Sequence, residues 1–216
     1  MDKRKLGILI ELLLAVVGIY GILIASGLFS GSFTPVMFSY YTIITNIICV
    51  VYLIGKVIYK TKYPRKKKEF LGNFRGAVII CILITGLVFH FLLGKLFNMN
   101  ASNDMFVCLG NIIVHYIIPY SVLLDYLIFD KKGYFKKWGP FTWIIVPLLY
   151  FAYALITGYF KLINYGGTYY PYWFIDVSQI GYLKVFMNAG LITVIFLGIC
   201  YILYFFDNMM SKRKSR

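Results

Sequence analysis

Six blocks of the chain are almost wholly apolar, and the charged residues gather in the short connections between them. The blocks run over about 6–29, 38–58, 76–97, 105–129, 141–160 and 182–206. Each is long enough to cross about 30 Å of hydrocarbon as a helix. The pattern predicts an all-α fold, a polytopic membrane helical bundle of six transmembrane helices. No connection is long enough to fold by itself, so residues 1–216 are expected to form one transmembrane domain. The first block is too long for a cleaved signal peptide and lacks a small-residue cleavage site before the next span.

Composition agrees. The chain is 61% hydrophobic and only 14% charged, whereas a soluble domain is closer to half apolar and about a quarter charged. A net charge of +14 raises the question of nucleic acid. The distribution answers it. Of the 22 Lys and Arg, three lie at the N-terminus and eight at the end of the second span and in its loop. Four more lie in the fourth-to-fifth loop and four in the tail. Only Lys95, Lys161 and Lys184 fall on the other side. This is a positive-inside signal, so both termini are expected to be cytoplasmic, in a cell membrane. The run "PRKKK" at 64–68 is a topology signal, and attraction to anionic lipid headgroups is a side effect of it. Membrane lipids are the expected partners. Nucleic acid is not, because no basic stripe lies on a folded soluble surface. The oligomeric state stays open. Cys49, Cys81, Cys108 and Cys200 fall in four separate blocks without metal-ligand spacing and read as small buried hydrophobes.

Within the apolar blocks, some polar residues share one height. Counted from the cytoplasmic end of each span, Thr42, Thr45, Asn46, His90 and His115 lie roughly 18–24 Å up, in the outer half of the bilayer. Thr42, Thr45 and Asn46 share a helix face at i, i+3 and i+4, and Asn111 and His115 share another at i, i+4. Pro119 should kink the fourth span or free a backbone carbonyl near His115. Such groups are costly in hydrocarbon and need partners or a function. Three readings are open. The layer is interhelical glue, a catalytic site, or part of a transport or proton path. A hydroxyl beside an imidazole permits nucleophilic attack on a carbonyl, with Asn46 or Asn111 orienting the base or donating to an oxyanion. Two histidines without nearby carboxylates make a poor zinc site, so neither metal nor cofactor is implied. Glu11, Asp125 and Asp207 lie near the basic inner loops and are expected to pair there.

The fifth-to-sixth loop, "KLINYGGTYYPYWFIDVSQIGY", is rich in aromatics. It reads as an ordered interfacial cap, either a plain aromatic belt or a lid over a site below. Asp176 in it would reach the polar layer if the loop folds inward. "NAS" at 100–102 matches a glycosylation sequon.

Three segments carry a resemblance: "ITGLVFHFLL" (84–93), "NIIVHYIIPYSVLLDYLIFD" (111–130) and "YYPYWFIDVSQIGY" (169–182). Together they resemble the bacterial six-span members of the FAR-17a/androgen-induced protein family, whose loop usually has a second proline where this chain has Trp173. The resemblance implies six spans with both termini inside. Animal members are regarded as intramembrane threonine hydrolases of fatty-acid esters of hydroxy fatty acids; bacterial members are mostly of unassigned function. By the resemblance Thr42 matches the nucleophile and His115 the general base. The animal histidine stands one position further from its proline, so Thr45 is kept as an alternative nucleophile. The expectation is an integral membrane hydrolase of lipid esters, with His90, Thr45, Asn46 and Asn111 shaping the site and the aromatic loop roofing it. An apolar substrate would enter sideways from the outer leaflet. The alternative is a non-enzymatic membrane protein such as a small transporter or a structural partner. Against transport, the chain has no internal repeat and no paired broken helices.

Overall fold

The structure is a computed structural model that describes residues 2–66, 68–94 and 105–213. The sequon at 100–102, Lys95, Lys67 and the last residues of the tail lie outside the described residues. Six helices are long and apolar enough to cross a membrane: α1 (Lys3–Ala25), α2 (Tyr41–Lys62), α3 (Gly72–Leu93), α4 (Met105–Phe129), α5 (Gly139–Tyr159) and α6 (Val177–Lys212). No strand occurs among the described residues.

The ends differ from the expected blocks by a few residues, each for a local reason. α1 stops at Ala25 rather than 29, because Gly27 turns the chain with a φ of 80°. α2 starts at Tyr41 rather than 38, because Pro35 opens a tight 3-10 turn over Pro35–Ser39. It runs on past 58 to Lys62, with Lys60 and Lys62 in the last turn, where cations suit the helix dipole. α5 is broken at Ile144, because the Pro147 ring cannot sit beside the carbonyl four residues back. α6 begins at Val177, earlier than 182, because Asp176 accepts from the N–H groups of Ser178 (2.9 Å) and Gln179 (3.3 Å) and so caps it. It bends at Gly181, whose backbone is not helical.

α3 is central. It touches α2, α4, α5 and α6, and its Val78, Ile79 and Ile82 are fully buried. The outward faces are apolar, with Leu13, Val16, Val194 and Phe205 more than half exposed. Hydrocarbon around the bundle suits such a surface.

Two polar layers cross the bundle. At one end, called inner, the Lys56 ammonium meets Glu11 (2.7 Å), Asp125 (3.2 Å) and Asp130. Arg75 bonds Asp125 (2.6 Å) and Asp130 (2.9 Å), and Lys60 bonds Glu11 at 2.5 Å. Glu11 and Asp125 thus pair as expected, though their cationic partners lie on helices rather than in loops. The three carboxylates converge as metal ligands would, but a tethered ammonium takes the cation's place. Asp207 binds a loop backbone, accepting from the N–H groups of Gly133 (2.9 Å) and Phe135 (3.3 Å) and from the Tyr126 hydroxyl (2.7 Å). Arg4 donates to the carbonyls of Lys60 (2.5 Å) and Tyr63 (3.3 Å). The beginning of α1 and the far end of α6 therefore lie at the same end of the bundle.

The second layer stands about ten residues, or about 15 Å, outward. Asn46 and Lys56, Arg75 and Thr85, and His115 and Asp125 are each ten residues apart. Between the layers the buried side chains are apolar, among them Leu53, Val78, Ile79, Ile82, Ile118 and Val122.

Candidate active site

Pro119 shapes the outer layer. It has no N–H to give the His115 carbonyl, and its ring crowds that carbonyl. The helix relieves this with a π turn over Ile113–Ile117, closed by the Ile118 N–H on the Ile113 carbonyl. The His115 carbonyl then faces Gly86 of α3, where a Cβ would come within 2.7 Å of it. Asn46 holds the turn from the other side. Its Nδ2 donates to the Thr42 carbonyl (2.8 Å) and, across the helices, to the Val114 carbonyl (3.2 Å).

His115 is thereby aimed at α2. Its Nδ1 lies 3.1 Å from the Asn111 carbonyl. A carbonyl only accepts, so Nδ1 carries the proton and Nε2 offers its lone pair. Thr42 Oγ1 lies 3.2 Å from Nε2 and donates to it. The Phe89 ring stacks on the imidazole, with centroids 3.8 Å apart and planes at 21°. Imidazole and hydroxyl are thus in the relation that a base and its nucleophile require, and the imidazole is 7% exposed.

The other expected residues divide. Thr45 is turned from His115: its hydroxyl meets Thr85 Oγ1 (2.7 Å) and the Tyr41 carbonyl (2.9 Å). Asn111 serves through its backbone, while its side-chain amide donates to Val107 (3.0 Å). Asn46 therefore has both amide hydrogens committed to carbonyls and none left for an oxyanion, while Asn111 has one committed to Val107. His90 is at the expected height but on the outside of α3, exposed and 3.3 Å from the Tyr116 hydroxyl. Phe89, one residue earlier, takes the inward place. Asp176 does not reach the layer. Besides its cap bonds it accepts from Thr168 Oγ1 (2.6 Å) and Ser178 Oγ (2.5 Å). Burial raises its pKa, but these hydrogen bonds outweigh that and hold its carboxyl below the usual range.

The aromatic loop folds inward over the outer end of α2. Tyr40 meets Tyr165 edge-on at 5.1 Å and Tyr172 at 5.9 Å. Tyr170, Phe174 and Ile175 are buried, while Trp173, Tyr159 and Phe160 stay outside as a belt would. Tyr172 lines the same cavity as Thr42. Burial pushes its phenol pKa up, although interactions with the Thr42 and Tyr150 hydroxyls oppose this. It therefore keeps its proton and can donate.

The cavity has a volume of about 100 Å³ and is half-open. Thr42, Thr85 and Tyr172 give it a polar corner, and Ile84, Leu148 and Phe151 are among its apolar walls. Val88, Phe174, Ile192 and Phe196 also line a second space, which passes between α3 and α6. Its rim includes Phe91, Leu191 and Ile195, all on the exposed surface. Tyr172, Thr85 and Phe89 are site residues that the sequence did not single out. Their signals were membership of the aromatic loop and of "ITGLVFHFLL".

Fold and site together define a six-helix bundle of multi-pass membrane type, with a hydroxyl–imidazole pair at the head of an apolar cavity. No protein-family model, curated protein or solved structure matches the chain.

Proposed function

We propose that this protein is an intramembrane threonine hydrolase of lipid esters, of the kind that the resemblance to the androgen-induced protein family implies. One observation carries the reading: Thr42 Oγ1 lies 3.2 Å from an imidazole nitrogen whose tautomer is set by the Asn111 carbonyl, in the wall of an apolar cavity. His115 Nε2 takes the hydroxyl proton as Thr42 Oγ1 attacks the ester carbonyl. The Tyr172 hydroxyl, which interacts with Thr42 and lines the cavity, serves as a side-chain donor for the oxyanion. The intermediate collapses, Nε2–H protonates the leaving alkoxide, and the acyl group stays on Thr42. Water, deprotonated by His115, then releases the acid and restores the hydroxyl. The acyl chain lies along the apolar walls and enters between α3 and α6 from the outer leaflet.

The basic residues at the inner end support a cell-membrane orientation with both termini in the cytoplasm. A small transporter, the competing reading, needs a polar route between the faces. The apolar slab between the two polar layers disfavours it.

The test is labelling of the purified protein by a fluorophosphonate or a chromogenic lipid ester. Labelling is expected on Thr42 and is lost in Thr42→Ala and His115→Ala. Labelling that persists in both variants, or none in the folded wild type, would sink the hydrolase reading.

A further inference from the structure

A second concave site lies at the inner end, about 15 Å or more from Thr42 and independent of the reading above. Three separate segments meet there. The N-terminus contributes Lys3 and Arg4; the end of α2 and its loop contribute Lys60, Lys66 and Lys68; Lys131 follows α4. They surround a cleft of about 310 Å³, floored by Gly7, Tyr59 and Phe129. Its two acidic neighbours are engaged by backbone: Asp2 accepts from the Arg4 N–H (3.3 Å) and Glu69 from that of Lys131. Lys60 is paired with Glu11 (2.5 Å). The Arg4 guanidinium donates to neutral carbonyls, which do not offset its charge. The Lys66 ammonium is held 3.9 Å over the Tyr63 ring, at the rim. The cleft therefore has an excess of positive charge.

A topology signal requires only that basic residues be numerous on one side. It does not require three segments to converge on one hollow. This hollow lies where α1 and α2 and α4 meet the inner boundary, the level of lipid phosphates. On the same two helices, Leu9 of α1 and Ile128 of α4 are more than half exposed and offer apolar surface to acyl chains. We propose that the cleft binds the phosphate-bearing headgroup of an anionic lipid of the inner leaflet, with the lipid's chains against α1 and α4. Basic pockets between helices on the cytoplasmic side suit such headgroups.

The test uses the full chain in neutral detergent with phosphatidic acid or phosphatidylcholine added, bound lipid being counted by native mass spectrometry. Phosphatidic acid is expected to be retained in preference. Lys66→Gln/Lys68→Gln/Lys131→Gln should weaken that retention about fivefold for each charge removed. Lys5→Gln/Lys136→Gln/Lys137→Gln removes as many charges from the same end but outside the cleft, and should leave it intact. Equal losses in the two triple variants would reduce the cleft to a general basic belt and overturn the proposal. So would equal retention of the two lipids. Binding of glycerol 3-phosphate with no preference for phosphatidic acid would assign the cleft to a soluble phosphate and overturn the lipid.

Discussion

Gly86 of α3 faces the carbonyl oxygen of His115 so closely that a Cβ on it would come within 2.7 Å of that oxygen. The contact sets how near α3 can stand to the π turn. Gly86→Ala should push the turn away and lengthen the Thr42–His115 bond. We expect a stability loss of about 1–3 kcal/mol, typical of overpacking, and a larger fractional loss of activity. Thermal unfolding in detergent and ester hydrolysis, measured side by side, check this. An alanine variant with unchanged activity would mean that the turn has room to spare.

Thr42 and Thr45 differ in partners, and their variants should differ in kind. Thr42→Val should cut hydrolysis by more than about 10³-fold with little change in stability, as removal of a nucleophile does. Thr45→Val leaves the Thr85 hydroxyl without its 2.7 Å partner and should cost about 1 kcal/mol, with activity largely kept. The reverse pattern would make Thr45 the nucleophile.

Tyr172→Phe keeps the ring and removes the donor. If the phenol serves the oxyanion, kcat should fall about 10²-fold, the usual effect of losing one such donor, while KM stays nearly constant. A rise in KM alone would make Tyr172 a wall of the cavity and nothing more.

The inner ionic layer should be intolerant of half-measures. Lys56→Met leaves three buried carboxylates short of their central ammonium. Removing one partner of a buried pair costs about 3–5 kcal/mol, so this variant should unfold at much lower temperature. Lys56→Met combined with Asp130→Asn should recover part of that loss in the same melting experiment.

Asp176 predicts a pH dependence. Its folded pKa is depressed, because Ser178, Thr168 and Gln179 bond its ionised form. The loop is therefore stabilised above the ordinary carboxylate range and loses that support as pH falls through the depressed value. Trp173 fluorescence or limited proteolysis of the loop, followed down in pH, should report an acid opening. Asp176→Asn should abolish the pH dependence.

Height was legible in the sequence, and azimuth was not. Counting residues along each span placed Thr42, Asn46 and His115 at one level, and the structure brings those three together. The same count placed His90 there, but neighbouring residues on a helix point about 100° apart, and Phe89 rather than His90 faces α4. Two π turns shift the facing of α3 and α4 further, and no apolar periodicity announces them. The inner pairing of Glu11 and Asp125 was also legible in outline. Its central cation, Lys56, sits inside an apolar block and had been counted only as an orientation signal. Asp176 was placed on the correct side, but its short hydroxyl neighbours, Thr168 and Ser178, satisfied it before it could reach inward.

The π turn in α4 amounts to one surplus residue. Below it, Asp125 is locked in register with Lys56 and Arg75; above it, Gly110 is seated so close to α1 that a Cβ on it would lie 3.1 Å from the Ala25 backbone nitrogen. Winding Ile113–Ile117 as regular helix, with no residue removed, would swing one half past the other by about 100°. One of those two seats would have to be vacated, and the imidazole would leave Thr42 with it. α4 is in effect two helices of different phase, spliced at the residue that faces the hydroxyl.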